Sequence, residues 1–175
     1  KLVQKYFGHI GSGPSLEKMT SLVPDRTANT HDVMYDDVPQ IRSFQYWAVP
    51  GRTSHDRALL ELAAQVLGDG KNSRLYQALI QETQHAVSLS VQVEPQELAS
   101  MFAIDTLVRP GASLDDINSI IEQELTRFLT HGPGEAELQR AKTKINAGVI
   151  RGLEQIGGFT GKAATLAQGE LYDGN

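Results

Sequence analysis

The chain has 175 residues, 40% of them hydrophobic and 21% charged, the length and balance of one globular domain able to bury its own core. Its 16 Lys and Arg against 21 Asp and Glu leave a net charge of −5 without a basic cluster, which argues against a nucleic-acid partner. The lack of cysteine excludes disulfides, thiolate nucleophiles and Cys-based zinc sites, and the longest apolar stretches, such as Ala58 to Leu67, fall well short of the roughly 20 residues a membrane span needs.

Taken in chain order, Leu2, Val3, Tyr6 and Phe7 read as the last turns of an amphipathic helix closed by Gly8. The chain opens on Lys1 without Met or a signal-peptide series, so the expectation is an excised fragment. Residues 1–8 would end a helix, 9–26 form a Gly-, Ser- and Pro-rich linker, and 27–175 make a single α+β body. Thr27 to Tyr35 and Gln40 to Val49 carry β-branched and aromatic residues around an Asp36–Pro39 turn and predict two adjacent strands. The second is apolar on both parities, which predicts an interior position in the sheet.

Ser54 and Asp56 announce a helix from about His55 to Leu67, stopped at Gly68. Asn72 or Ser73 then caps a second helix through Leu79 and Ile80, and strands near Ala86–Val93 and Met101–Val108 follow as a meander or hairpin. Ser113 caps a helix whose buried stripe is Leu114, Ile117, Ile121, Leu125 and Phe128, ended by His131-Gly-Pro-Gly134. The next and longest helix shows an apolar seam of Leu138, Ala141, Ile145, Val149, Leu153 and Ile156. A short helix over Lys162–Leu171 follows the Gly157-Gly158 break. Paired strands followed by paired helices predict α+β: two layers, an antiparallel-rich sheet with helices on one face.

Local chemistry offers little beyond that fold. The histidines His9, His31, His55, His85 and His131 never stand at the i, i+4 spacing that aims two imidazoles at one metal from a helix. Gly68 to Ser73 invites a phosphate-loop reading, but Gln65 and Asn72 occupy positions where such a loop needs Gly and Ser or Thr. A helix C-cap joined to an N-cap explains the segment. Asp36-Asp37 and Asp115-Asp116 have turn and helix-start roles, and no Gly-x-Ser-x-Gly elbow presents a serine. No catalytic, cofactor-binding or metal residue is assigned in this chain.

Several segments in order resemble the pitrilysin/insulinase family of zinc metallopeptidases, in the region following their zinc-binding segment. They are Leu2–Gly8 before a Gly-Pro linker, Val38–Arg42 leading to Trp47 and Pro50, Asp56 through Tyr76, Gly134–Lys142 and Gly152–Lys162. The resemblance implies a processing-peptidase-like half-domain of a larger parent that cleaves peptides with zinc-activated water. This chain holds none of the inverted zinc motif, so zinc is expected only in the full-length parent and the isolated chain is expected to be inactive. Implied partners are the zinc-bearing subdomain, a second homologous half and peptide substrates, and a bacterial parent fits a periplasmic or secreted location. Family members hold the substrate backbone with an Arg and a Tyr in their zinc-free half. Gapless placement puts Ile80 and Val87 at those positions, which implies that this segment belongs to the zinc-bearing half. The alternative is a structural subunit resembling respiratory-complex core proteins or the non-catalytic processing-peptidase subunit. Excision implies uncovered apolar surface and self-association of the fragment.

Overall fold

A computed structural model describes residues 1–14, 17, 23–154, 156–158 and 161–173. The elements are α1 (Leu2–Phe7), β1 (Arg42–Pro50), α2 (Asp56–Gly68), α3 (Arg74–Tyr76), β2 (Ala86–Glu94), β3 (Ala99–Val108), α4 (Leu114–His131), α5 (Glu135–Glu154) and α6 (Lys162–Gln168). α3 widens into π-helical turns over Gln77–Glu82, where the Thr83 N–H and hydroxyl both donate to the Ala78 carbonyl, at 3.1 and 2.7 Å. Gln84 then takes a positive φ of 55°, reversing the chain into β2. Similar π-helical turns follow α6 over Gly169–Asp173.

The sheet has three antiparallel strands in the order β1-β3-β2, with β3 central. β1 pairs without interruption from Arg42↔Leu107 to Pro50↔Ala99. β2 pairs from Ala86↔Val108 to Glu94↔Met101 with one irregularity between Ala86 and Ser88, which makes Val87 the extra residue of a bulge. Strand residues directly opposite one another share a face. One face therefore carries Trp47 and Val49 of β1, Phe102, Ile104, Thr106 and Val108 of β3, and Leu89, Val91 and Val93 of β2.

That face is the core side. Ala64 and Leu67 of α2, Leu75 of α3, Leu79 in the π-helical turns, and Ile117 and Ile121 of α4 pack with Phe102, Ile104 and Val108. Trp47 meets Phe102 edge-on, with ring centroids 6.1 Å apart. The opposite face carries Arg42, Phe44, Tyr46 and Ala48 of β1 beside Met101, Asp105 and Leu107 of β3. The core helices leave this face uncovered, and the Phe44 and Tyr46 rings lie stacked at 6.2 Å and half-exposed. Helices on one face of an antiparallel sheet confirm the α+β expectation.

The helix starts follow their sequence signals. Ser113 Oγ accepts from the Asp116 amide at 3.3 Å, and Ser54 Oγ accepts from the Asp56 amide at 3.2 Å. Ser73 occupies the N-cap position of α3, but its hydroxyl donates back to the Gly70 carbonyl at 2.7 Å and caps no helix amide. β2 and β3 form the expected hairpin with a longer loop, pinned where the Arg52 N–H donates to the Gln96 carbonyl at 2.9 Å.

Four expectations are corrected. Thr27–Tyr35 forms no strand: the segment is irregular and exposed throughout. β1 is consequently an edge strand, and its two-parity apolar pattern arises because odd residues face the helices while even ones form the outer aromatic cluster. In the α5 seam Ala141 is buried, but Val149 is exposed and Ile156, also exposed, lies beyond the helix; the Leu153 side chain falls outside the described residues. Periodicity prepares such a face for a neighbour, and α5 outruns α2, the helix it leans on. Gly8 ends α1 with φ −65°, in the right-handed region, so no left-handed cap closes that helix. Residues 15–16 and 18–22 of the expected linker lie outside the described residues.

Candidate functional site

A set of charged side chains gathers where the Gly68–Ser73 connection meets the start of α5. A cleft of about 140 Å³ there is lined by Gln65, Asp69, Lys71, Ser73, Glu137 and Lys144 among others. Gly70 turns the connection with φ +86°. Gly68 is needed for a different reason: a Cβ on it would overlap the Val91 side chain, so its hydrogen lets α2 sit directly on β2. The glycines first read as a possible phosphate loop thus serve helix-to-sheet packing and chain reversal.

Behind the cleft, Arg74 forms a two-pronged ion pair with Glu137. Nε lies 2.8 Å from Oε1, Nη2 lies 2.7 Å from Oε2, and Nη2 also donates to the Gly132 carbonyl at 2.9 Å. The guanidinium rests over the Phe128 ring, 5.4 Å from its centroid. Glu137 in turn accepts from the Gly134 N–H at 2.7 Å, a residue reaching back to close its own helix start. The hydrogen bonds from Arg74 hold the Glu137 carboxyl down at about 2, against the opposing effect of partial burial. One arginine therefore ties α3 to the α4–α5 turn. Sequence reading missed this clamp; the Gly134-x-x-Glu137 spacing is its one local signal, and nothing local points to Arg74.

The carboxylates of this site are committed to basic partners. Lys144 Nζ sits 2.7 Å from Asp69 Oδ2, and Glu137 is held by Arg74, so neither carboxylate is free to act as a base. His85 Nε2 stands 3.9 Å from Asp116 Oδ2 on the exposed side of α4, and His131 Nδ1 lies 3.2 Å from the Arg127 carbonyl in the last turn of α4. His9 and His31 are exposed, and His55 precedes α2. Among the described residues no group of three or more His, Cys, Asp or Glu comes together to hold a metal. Zinc, which the resemblance implies for a parent protein, has no ligand set among the described residues. Asp36-Asp37 lies in an exposed turn and Asp115-Asp116 in the first turn of α4, far apart in role. Ile80 is partly buried against the core and Val87 is the half-exposed bulge residue.

A three-stranded antiparallel sheet layered with helices, the carboxylates of its charged cleft held in internal ion pairs, defines a small α+β domain. A family model described as the peptidase M16 inactive domain matches residues 1–145, and the chain belongs to that family. Among solved structures, a protease from Helicobacter pylori is similar over 82% of this chain and 34% of its own, with 22% identity and a TM-score of 0.71. A zinc protease, so described provisionally, from Bordetella pertussis Tohama I aligns over 61% of this chain and 58% of its own at 25% identity, TM-score 0.56. A chain of Complex III2 from Candida albicans aligns over 81% of this one and 35% of its own at 19% identity, TM-score 0.62. The chain thus spans about a third of the Helicobacter pylori protease it matches. No curated protein sequence matched it. Among the described residues, no helix is long and apolar enough to cross a membrane.

Proposed function

We propose that this domain is the non-catalytic companion of a zinc-bearing peptidase domain and serves as a wall of the chamber in which a peptide is cut. The observation that carries the reading is the family match over residues 1–145 combined with a charged cluster whose carboxylates are already paired. Zinc and the activated water would come from the companion. Ile80 and Val87, at the positions where family members of the substrate-clamping half place Arg and Tyr, support assignment to the half of the parent that also carries zinc, because neither side chain polarises a carbonyl.

The test is turnover of a fluorogenic peptide pool with added zinc. The isolated chain is expected to give none, whereas mixing with a zinc-bearing domain of the same parent gives cleavage that a chelator abolishes. Chelator-sensitive cleavage by the isolated chain overturns the reading. A second reading, a purely structural subunit, is favoured by the likeness to a chain of Complex III2. It predicts a stable assembly with partner chains and no cleavage from any mixture.

A further inference from the structure

The carboxylates of the cleft beside α5 are paired, but its cations are not all used. Asp69 and Glu137 line it with Lys71, Arg140 and Lys144, a surplus of one positive charge. Lys144 is taken up by Asp69: Nζ donates to the carboxylate at 2.7 Å and to the carbonyl at 3.4 Å. It lies against Gly70, where a Cβ would come within 3.0 Å of Nζ. Lys71 and Arg140 are in no ion pair among the described residues. Arg140 only adds to the field that helps hold the Glu137 carboxyl down.

The turn that carries Lys71 is held from one side. The Gly70 carbonyl accepts from the Ser73 N–H at 3.1 Å and the Ser73 hydroxyl at 2.7 Å, and the Lys71 carbonyl accepts from Gln77 Nε2 at 3.0 Å. In a trans peptide the C=O and the following N–H point opposite ways, and no described peptide is cis. The Lys71 and Asn72 N–H groups are therefore turned away from α3, and among the described residues neither donates to a protein acceptor. Two fixed amides and two unpaired cations at one cleft make an oxyanion cradle. Gln65, which also lines the cleft, has Oε1 buried without a partner. Turning that amide into the cleft breaks no hydrogen bond among the described residues and presents an acceptor next to the cradle.

We propose that this cleft binds the C-terminal carboxylate of a peptide, with Lys71, Arg140 and the two amides on its oxygens and Gln65 on the N–H beside it. A surplus of one charge suits a carboxylate. A phosphate group carries about −1.5 to −2 at neutral pH and would meet Asp69 and Glu137 at greater cost. The space of about 140 Å³ takes a terminal group and not a folded surface. Hydrolysis of any peptide bond leaves one such carboxylate, so the ligand class matches a domain of a peptidase family. Binding of this kind does not depend on whether the domain lines a chamber.

The test is an NMR titration of the full chain with two forms of acetylated trialanine, one ending in a free carboxylate and one in a carboxamide. The free acid is expected to move the Lys71 and Asn72 amide resonances saturably, and the carboxamide to leave them in place. Lys71→Gln and Arg140→Gln are each expected to weaken binding about tenfold or more, the loss of one charge-assisted hydrogen bond. Both side chains are exposed, so these variants keep the native unfolding temperature. Lys142→Gln, on the same helix but outside the cleft, leaves binding unchanged. Equal binding of acid and carboxamide overturns the proposal, as does no binding of either. So does a loss with Lys142→Gln equal to that with Arg140→Gln, or tighter binding of inorganic phosphate than of the acid.

Discussion

The body between α2 and the start of α5 and the flanks on either side are built from the same kinds of residues and end in opposite states. In the body, Leu67, Leu75, Leu79, Ile104, Ile117 and Ile121 are essentially fully buried, each from a different turn or strand. In the flanks, Leu2, Phe7, Tyr35, Val149, Ile150 and Leu171 are exposed, although α5 carries apolar residues at helical spacing. An apolar stripe is a demand for a partner, and only tertiary placement decides whether the demand is met. The body meets it because β3, central in the sheet, gives every core helix a shared floor. The flanks reach past that floor.

The contrast is broken most severely at its centre. Ile104, 1% exposed on the central strand, belongs to the core cluster to which α2, α3 and α4 contribute. Ile104→Ala is expected to lower unfolding stability by about 2–5 kcal/mol, read from chemical denaturation, through lost burial and the cavity left behind. A cost under about 0.5 kcal/mol would place the core elsewhere.

Gly68→Ala comes next, with an expected loss of about 1–3 kcal/mol because its Cβ meets Val91. The informative measurement is the pair. Val91→Ala should recover part of the Gly68→Ala loss, giving a double mutant better than the sum of its parts. Strict additivity would mean that α2 does not press on β2 there.

The Arg74–Glu137 clamp contributes less, since both groups keep some contact with water. Arg74→Ala is expected to cost about 1–2 kcal/mol, part of it from the carboxylate left without its donor. Glu137 titrates at about 2 in the folded chain against an ordinary 4.5, so its contribution is complete above the ordinary value and is lost as pH falls through about 2. The stability gap between the native chain and Glu137→Gln should therefore shrink between those two values. A gap that stays constant from neutral pH down to 2 would remove the clamp from the account.

At the small end, Val149→Ser on the exposed half of α5 is expected to change stability by less than about 0.5 kcal/mol. A larger loss would show that this flank is already covered in solution, and concentration-dependent scattering abolished by the same substitution would identify a second copy as the cover.

Much of the architecture was legible along the chain. α2, α4 and α5 follow apolar periodicity with Ser54, Ser113 and the Gly132–Gly134 break as punctuation, and β2 and β3 follow alternation around Pro95. These signals are read within a few residues, where backbone hydrogen bonding and side-chain direction act locally. Thr27–Tyr35 misled because β-branched composition describes a surface suited to a sheet, and pairing needs a neighbour that composition does not supply. β1 misled likewise, its second apolar face belonging to an aromatic cluster and not to a covered interior.

At the site the division is sharper. Sequence alone determined what this chain lacks: cysteine, histidines at zinc-helix spacing, and Arg and Tyr at positions 80 and 87. Those are statements about residue type and local spacing, which no folding changes. The tertiary structure decided what the remaining charged residues do. Arg74 meets Glu137 and Asp69 meets Lys144 because α3 and the end of α2 come up against α5, and Gly68 yields to Val91 because α2 lies on β2, all across long stretches of sequence. Partners so distant in the chain are chosen by packing, and packing is a property of the whole fold.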